Sequence, residues 1–499
     1  MNSIWIDSVP KILDKSKSLD SNISCDVTIV GGGLTGLTSA YYLSKKGLKV
    51  VVLEKDSLML KTSGNTTAKI TAQHDLFYKY LIDTFGAETA KKYLNCNLEA
   101  IDNIKKIIDD ERINCDFEYQ SSYVFTKSNS YVQDIKDEAK ATHIFGFDSK
   151  LLTKIPLPIN NVLCAIEFPN QAQFNPRKYA LGLSNSILNN QGLIFENSKV
   201  TDVQKIKDIY STKVGDYSVQ SKYVILATRY PFINAPGFYF LKMYQTLSYC
   251  ASFEIPDNLF SGMYINAEHP TLSARIAKDN GKDVLLLSGC SHKVGKPSGV
   301  SDPYSTLTTF AHSIYSDSKM IYKWVTEDSV SLDKLPYIGQ FSSLMPNMYV
   351  ATGFKKWGMT FSNVASNILV DKILGNDNEY SDIFDSTRLH PIQNKEEMGN
   401  MIKEATTSIV IKKFTLPNDT IQSLALNEGK IIEFEGSKIG VYKNKDGDVF
   451  KVKPVCTHLG CELSWNPVNN TWDCPCHGSR FNYDGKLLYG PALHDLEVL

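Results

Sequence analysis

Cys456-Thr-His458-Leu-Gly-Cys461 and Cys474-Pro-Cys476-His477-Gly-Ser479 gather four thiols and two imidazoles into two short loops. Each loop offers a soft ligand and an imidazole, a set suited to zinc or to iron–sulfur chemistry. A Cys2His2 zinc site uses four of the six residues, and a disulfide-stapled loop uses only the cysteines. A [2Fe–2S] cluster with two cysteines on one iron and two histidines on the other accounts for the whole set if the remaining cysteines bridge the loops. The other cysteines (Cys25, Cys96, Cys115, Cys164, Cys250, Cys290) are scattered singly, so the crowding is local and not a disulfide scaffold.

A second constellation sits near the start. Gly31, Gly33 and Gly36 form G-x-G-x-x-G after the apolar run 27–30 and at the head of a helical stretch, 34–46. The first glycine permits a tight turn, the second lets backbone approach a pyrophosphate, and the third lets the helix lie on the strand. The amides of Leu34 and Thr35, at the helix N-terminus, favour phosphate. Residues 50–53 read as the next parallel strand, and Glu54, 18 residues beyond Gly36, is placed to accept from ribose hydroxyls. These features predict a dinucleotide site. Lys55 and the small polar loop 61–72 follow, where Ser63, Thr66, Thr67 and Ala68 suit phosphates and a ring edge. Val200, Ala227 and Thr228, on later apolar strands, and Gly353, Gly358, Met359 and Thr360, at a late strand–turn–helix, complete the candidate cofactor contacts.

The elements that must hold these residues follow from periodicity. Leu94, Leu98, Ile101, Ile104 and Ile108 keep helical spacing. Residues 117–169 are expected to be antiparallel strands inserted into the first domain. Residues 192–203 and 223–228 are expected to be parallel strands, 244–288 alternating strands, and 304–324 a helix. A strand at 347–353 and an apolar helix to about 374 close the domain. Residues 385–405 are charged and aperiodic and read as a linker. Beyond them 429–434, 438–443 and 449–453 are β. The fold class expected is an α/β Rossmann-type domain with an inserted antiparallel substrate-binding sheet, plus a C-terminal all-β domain. The expected division is 1–384, with cofactor-binding parts about 24–116, 170–240 and 325–384 and substrate-binding parts about 117–169 and 241–324. The linker 385–405 and the β domain 406–499 follow.

With 53 Lys+Arg against 54 Asp+Glu, charge gives no case for nucleic acid or an anionic membrane. The first 25 residues carry charges and no apolar core of a signal peptide, and no run reaches the roughly 18 apolar residues of a membrane span. A cytoplasmic location is the expectation.

The first 380 or so residues resemble the FAD-dependent D-amino-acid-oxidase/glycine-oxidase-like family. The matching pieces are the glycine fingerprint, Glu54, Tyr-Val-Ile-Leu-Ala-Thr at 223–228 and Ala-Thr-Gly-Phe…Gly-Met-Thr at 351–360. The resemblance implies FAD, with its adenosine end at 31–54 and its pyrimidine end near 358–360, under an antiparallel substrate sheet. Such flavoproteins usually have glycine after Ala-Thr, where this chain has Arg229. Some relatives attach flavin through a cysteine just before a Leu-Pro-Tyr-Ile-Gly-type segment. Residues 324–334 hold no cysteine, so FAD is expected to be non-covalent.

The C-x-H-x-x-C…C-x-C-H-G-S pattern resembles the Rieske family in its disulfide-containing form, and Gly490-Pro-Ala492 matches that family's proline loop. The resemblance implies Cys456 and Cys474 on one iron of a [2Fe–2S] cluster, His458 and His477 on the other, and a Cys461–Cys476 disulfide. It also implies a hydrogen bond from Ser479 to a bridging sulfur. High-potential members place tyrosine where this chain has Phe481, so a lower potential is expected.

The order FAD domain, linker, Rieske domain implies that an amine or amino-acid-like substrate reduces FAD. The cluster then passes single electrons to an external acceptor, in a dehydrogenase more than an oxidase. The partners expected are a small-molecule substrate and a one-electron acceptor, with no nucleic acid and no membrane span. Arg275 and Tyr249 are candidates for a substrate carboxylate, and Lys69 and Lys356 for the flavin's surroundings. An NAD(P)H-driven reductase would need a second dinucleotide fingerprint. A ring-hydroxylating oxygenase would place a facial-triad iron domain after the cluster. The surviving alternative is a redox-responsive or partner-docking protein without turnover. As separately folding modules, the two domains are expected to keep their cofactors independently.

Overall fold

The computed structural model describes residues 3–13, 15, 17–256, 259–388, 399 and 421–499. The expected linker, 385–405, and the start of the β domain, 406–420, lie largely outside the described residues.

The elements that carry the sites follow one another along the chain: strand β1 (Ile23–Val30), helix α1 (Leu34–Lys45), strands β2 (Val50–Leu53), β3 (Tyr217–Leu226), β4 (Met243–Glu254), β5 (Lys282–Lys293), β6 (Lys319–Ser331) and β7 (Met348–Thr352), and helix α2 (Gly358–Leu374). An eight-stranded sheet runs Tyr337–Gln340, β7, β3, β1, β2, Leu193–Phe195, and β7, β3, β1, β2 and Leu193–Phe195 are parallel neighbours. Its side chains alternate between two cores. Val27, Ile29, Val50 and Val52 pack with α1 and α2, while Val30, Val51, Leu53 and Val224 pack on the other face. Each of these fully buried side chains contributes roughly 1.5–3 kcal/mol. The parallel strands therefore end together, at Val30, Leu53, Leu226 and Thr352, on the edge where a parallel α/β sheet binds its ligand.

Two glycines make the first turn possible. A Cβ on Gly31 would lie 2.5 Å from the Ala227 carbonyl oxygen, and one on Gly36 would lie 1.9 Å from the Gly31 carbonyl oxygen. Only hydrogen fits at either place, so α1 can start directly against β1.

A nine-stranded sheet covers that edge, in the order β6, β4, β5, Leu272–Asp279, Met263–Asn266, Glu118–Thr126, Cys164–Gln173, Lys69–Ile70, with Lys150–Leu152 beside Cys164–Gln173. Here three expectations are corrected. Val132–Ile144 is a helix within the region read as strands. The helix Pro303–Ile314 ends early, and Met320, Tyr322 and Trp324 then lie on strand β6. Val200–Ile206 is an antiparallel hairpin partner of Ile209–Val214, not a parallel strand.

The C-terminal part has a three-stranded sheet (Glu428–Phe434, Ser437–Lys443, Val449–Val452) and a four-stranded one (Ser464–Asn466, Thr471–Asp473, Arg480–Asn482, Leu487–Tyr489). Cys456, Cys461, Cys474 and Cys476 share a buried core with Trp472 and Phe481.

Candidate active site and metal centre

Two clefts meet at the edge of the parallel sheet. The larger, about 350 Å³, holds Gly31, Gly33, Glu54, Lys55, Ser63, Val200, Ala227 and Thr228. The smaller, about 140 Å³, holds Leu34, Thr35, Thr66, Thr67, Gly353, Lys356, Gly358 and Met359. Gly33, Thr62, Ser63, Ala227 and Arg229 line both, so the two form one elongated path with the N-terminus of α1 at its waist. A dinucleotide needs that shape, with the diphosphate at the helix end. A Cβ on Gly33 would approach the Ser63 hydroxyl to 3.0 Å and intrude on the waist. These residues fit FAD.

Some predicted contacts stand behind the lining. Gly36 lies under the turn, Ala68 donates its N–H to Thr66 Oγ1 (3.0 Å), and Thr360 Oγ1 lies 3.5 Å from the carbonyls of Thr71 and Trp357. The Glu54 carboxylate accepts from the amides of Gly32 (2.7 Å) and Asp56 (3.0 Å), which fixes it at the end of β2, and burial pushes its carboxyl up against their pull.

Of the four candidate catalytic residues, the structure brings only Lys356 to the cleft. Arg275 spends its guanidinium on the carbonyls of Thr67, Phe174 and Ile276, over the Trp5 ring. Lys69 is buried, donating to Tyr264 O and Ser273 Oγ, and burial followed by Arg275 pulls it down to about 7. Tyr249 stacks on His292 and meets Tyr304 edge-on. The sheet side of the smaller cleft is instead Ser248, Cys250, Ser288, Thr326 and Asp328. These went unremarked in the sequence, although Ser248/Cys250 and Thr326/Asp328 keep the two-residue spacing of one strand face. Burial pushes the Asp328 carboxyl up, opposed mainly by Lys356.

The two cysteine–histidine loops are built alike. Cys456 N–H donates to Cys461 O and Cys474 N–H to Ser479 O, both at 2.8 Å, and each loop turns at a glycine with φ +78°, Gly460 and Gly478. Cys461 and Cys476 are joined as a disulfide, so their sulfurs are not free ligands even though they lie with Cys474 in one group within 4.8 Å. Cys456 and Cys474 remain as buried thiols, and the hydrogen bond from Cys474 is the first cause that pulls the Cys456 thiol down. The His458 and His477 rings are 5.0 Å apart and perpendicular. Burial holds both imidazoles down to about 4, hence neutral. His458 Nε2 donates to Asn234 Oδ1 (2.9 Å), leaving its Nδ1 as the lone-pair nitrogen, and Nδ1 of both histidines is buried without a partner. Two buried thiols and two orphaned imidazole nitrogens fit a Cys2His2-ligated cluster. Ser479 Oγ bonds Cys456 and accepts from Ala492 N–H, while Phe481 is fully buried.

The two centres share a wall. Arg480 Nη1 pairs with Glu327 Oε1 (2.9 Å) on β6, and its Nε and Nη2 hold Asp473 and Thr471 at 3.0 Å. Arg229 reaches the same Glu327 at 3.2 Å, donates to Gln245 Oε1 at 2.7 Å and lies 5.4 Å over the Tyr489 ring. It adopts φ +65°, the conformation for which glycine is usual at this turn, at a cost of roughly 1–2 kcal/mol that these contacts offset.

A family model described as FAD dependent oxidoreductase matches residues 26–372, and one described as Rieske [2Fe-2S] domain matches 417–499. The chain is 36% identical over 482 residues to YhfW of Bacillus subtilis (strain 168), whose given name is that of a Rieske 2Fe-2S iron-sulfur protein, covering 97% of this chain and 94% of that one. It is 22% identical over 408 residues to the gamma-glutamylputrescine oxidoreductase of Escherichia coli (strain K12), covering 75% and 89%. Its fold matches the glycine oxidase of Geobacillus kaustophilus with a TM-score of 0.64 at 16% identity, over 74% of this chain and 99% of that one. The domain that holds the two clefts binds FAD in this family, and the domain that holds the two loops binds a [2Fe–2S] cluster. The chain therefore belongs to the FAD-dependent oxidoreductase family and carries a Rieske [2Fe–2S] domain at its C-terminal end.

Proposed function

We propose that this chain is a dehydrogenase that oxidises an amine or amino-acid-like substrate and delivers the electrons, through its Rieske domain, to an external one-electron acceptor. FAD when bound accepts two electrons as a hydride, and a Rieske cluster carries one. The observation that supports this order is the shared wall: Glu327, ion-paired to Arg480 of the Rieske domain, lies on β6 between Thr326 and Asp328 of the cleft.

In this reading FAD is non-covalent, bound along the Gly31–Glu54 and Gly353–Met359 residues. Asp328 and Lys356 face the substrate. The Asp328 carboxylate binds a cationic amine and takes up its proton, and Lys356 holds the opposite charge beside it. Cys456 and Cys474 hold one iron, His458 and His477 the other, with Ser479 and Phe481 beside them. The chain divides into 1–384 and 406–499, joined by 385–405. Lacking an arginine whose guanidinium is free in the smaller cleft, among the described residues, the site suits an amine nitrogen better than a second carboxylate.

The test compares wild type with Cys474→Ser, which removes an iron ligand, each normalised to bound FAD. Glycine, γ-glutamylputrescine and a panel of amines are the probes. Anaerobic bleaching of the flavin by the best substrate should be nearly unchanged, whereas reduction of a one-electron acceptor should fall about tenfold or more. Wild-type turnover with that acceptor should exceed turnover with oxygen. Equal acceptor-linked rates in the two proteins would sink the outlet role and favour the redox-responsive alternative.

A further inference from the structure

Residues 487–495 belong to the Rieske domain, yet they stand on the adenosine side of the dinucleotide cleft. Leu487, Tyr489, Pro491 and Leu493 line the same cavity as Gly31 and Glu54. The segment is tied to the FAD domain along its length. Lys61 Nζ lies 3.5 Å from Leu488 O and 5.2 Å over the Tyr489 ring, Arg229 lies 5.4 Å over that ring, and Lys199 Nζ donates to Leu493 O at 2.9 Å. It is also tied to the metal loops, because Ala492 N–H donates to Ser479 Oγ (2.9 Å), the hydroxyl that bonds Cys456.

We propose that the Rieske domain completes the FAD site: residues 487–495 form its outer wall over the adenosine half, and FAD is retained only while that domain is docked. Without the segment, the half of the cleft formed by Gly31, Glu54 and Val200 is a groove open to water. With it, a bound dinucleotide is covered on both sides, by apolar Pro491 and Leu493 and by the Tyr489 ring. That ring in turn positions the cations Lys61 and Arg229 close to where the diphosphate must run. Release of FAD then requires the wall to move, and the wall hangs, through Ser479, from the loop that carries Cys474. This assignment concerns cofactor retention and is independent of which way electrons flow.

The test uses full-length holoprotein and two wall variants, Tyr489→Ala and Leu493→Glu. The first removes the ring between the two cations, and the second puts a carboxylate beside the cofactor at a half-buried position that can accept it. FAD release is followed as the rise of free-flavin fluorescence after dilution, and the visible and paramagnetic signals of the cluster report whether the Rieske domain is folded. Release about tenfold faster, or more, with the cluster signal retained is the expected result. Should Tyr489→Ala lose the cluster signal, Leu493→Glu decides. Release within twofold of wild type in Leu493→Glu, with an intact cluster signal, would overturn the assignment.

Discussion

The Rieske domain meets the FAD domain along two edges that differ in kind. One edge, around the metal loops, is buried and closely fitted. Arg480 and Glu327 pair with almost no exposure, and Phe240 packs edge-on against both His458 and His477. A Cβ on Gly478 would lie 2.3 Å from Gln245 Cβ, and one on Gly295 would lie 2.6 Å from Pro475 Cα. The other edge, residues 487–495, is held largely by long lysine side chains reaching single carbonyls. Buried charge pairs tolerate no sliding, because a displaced partner leaves an uncompensated charge. Lysine stems follow a moving carbonyl at little cost. The first edge therefore sets where the domain docks, and the second can yield when a cofactor passes.

The largest effect that separates the edges is Arg480→Met. It deprives Asp473 of its buried partner and leaves Glu327 with Arg229 alone, and should destabilise the docked protein by about 3–5 kcal/mol. Denaturant unfolding followed through the cluster absorbance measures it, and a loss below about 1 kcal/mol would mean that this edge is not the anchor. Gly295→Ala sharpens the same point against Gly299→Ala. Both glycines have φ +77°, but a Cβ at 295 meets the backbone of Pro475 whereas one at 299 meets nothing within 4 Å. The backbone strain is common to both, so Gly295→Ala should cost about 1–3 kcal/mol more. Equal melting temperatures for the two variants would remove the close fit from the account.

Smaller in energy is the change inside the fitted edge. Phe481→Tyr adds a hydroxyl within the core of the cluster loops. One hydrogen bond to a ligand sulfur, worth roughly 0.5–1.5 kcal/mol, should raise the midpoint potential by about 20–65 mV at ~59 mV per tenfold. Redox titration of the paramagnetic signal checks it, and an unshifted potential with that bond formed would refute the assignment of Phe481. The smallest is Lys199→Ala on the yielding edge, where an exposed lysine loses one carbonyl. Stability should change by less than about 0.5 kcal/mol. A loss as large as that of Arg480→Met would abolish the distinction between the edges.

Where side-chain chemistry is the constraint, the sequence was easy to read. Sulfur and imidazole at positions 456–477 have few uses at such spacing, and the structure brings those residues into one buried group. The helix Val132–Ile144 was readable too. Val132, Ile135 and Ala139 keep 3–4 spacing, but short neighbouring strands masked it. Met320, Tyr322 and Trp324 alternate as a strand does, and the preceding helix ran over them in the reading. Arg275 and Tyr249 were misplaced for a different reason. A residue on a strand faces one side or the other according to register, and register is set by pairing with other strands, Tyr249 opposite Gly289 and Arg275 opposite Leu286. That the Rieske domain lends a wall to the cleft was hidden on the same ground, since residues 487–495 look like any short strand and loop until they are seen against it.

The sequence by itself determined the two kinds of chemistry. Glycine at 31, 33 and 36 is dictated by backbone approach, and the cysteine–histidine loops by the ligand atoms a cluster requires, and both constraints are local enough to be written in a few residues. Only the tertiary structure decided how the two sites meet. Arg229, a departure from glycine in the sequence, takes the left-handed turn and spends its side chain on Glu327, Gln245 and Tyr489, residues 16 to 260 positions away. The Tyr489 contact, like the Glu327–Arg480 pair, exists only after both domains have folded and docked, because the burial that makes such a pair strong is itself produced by the docking.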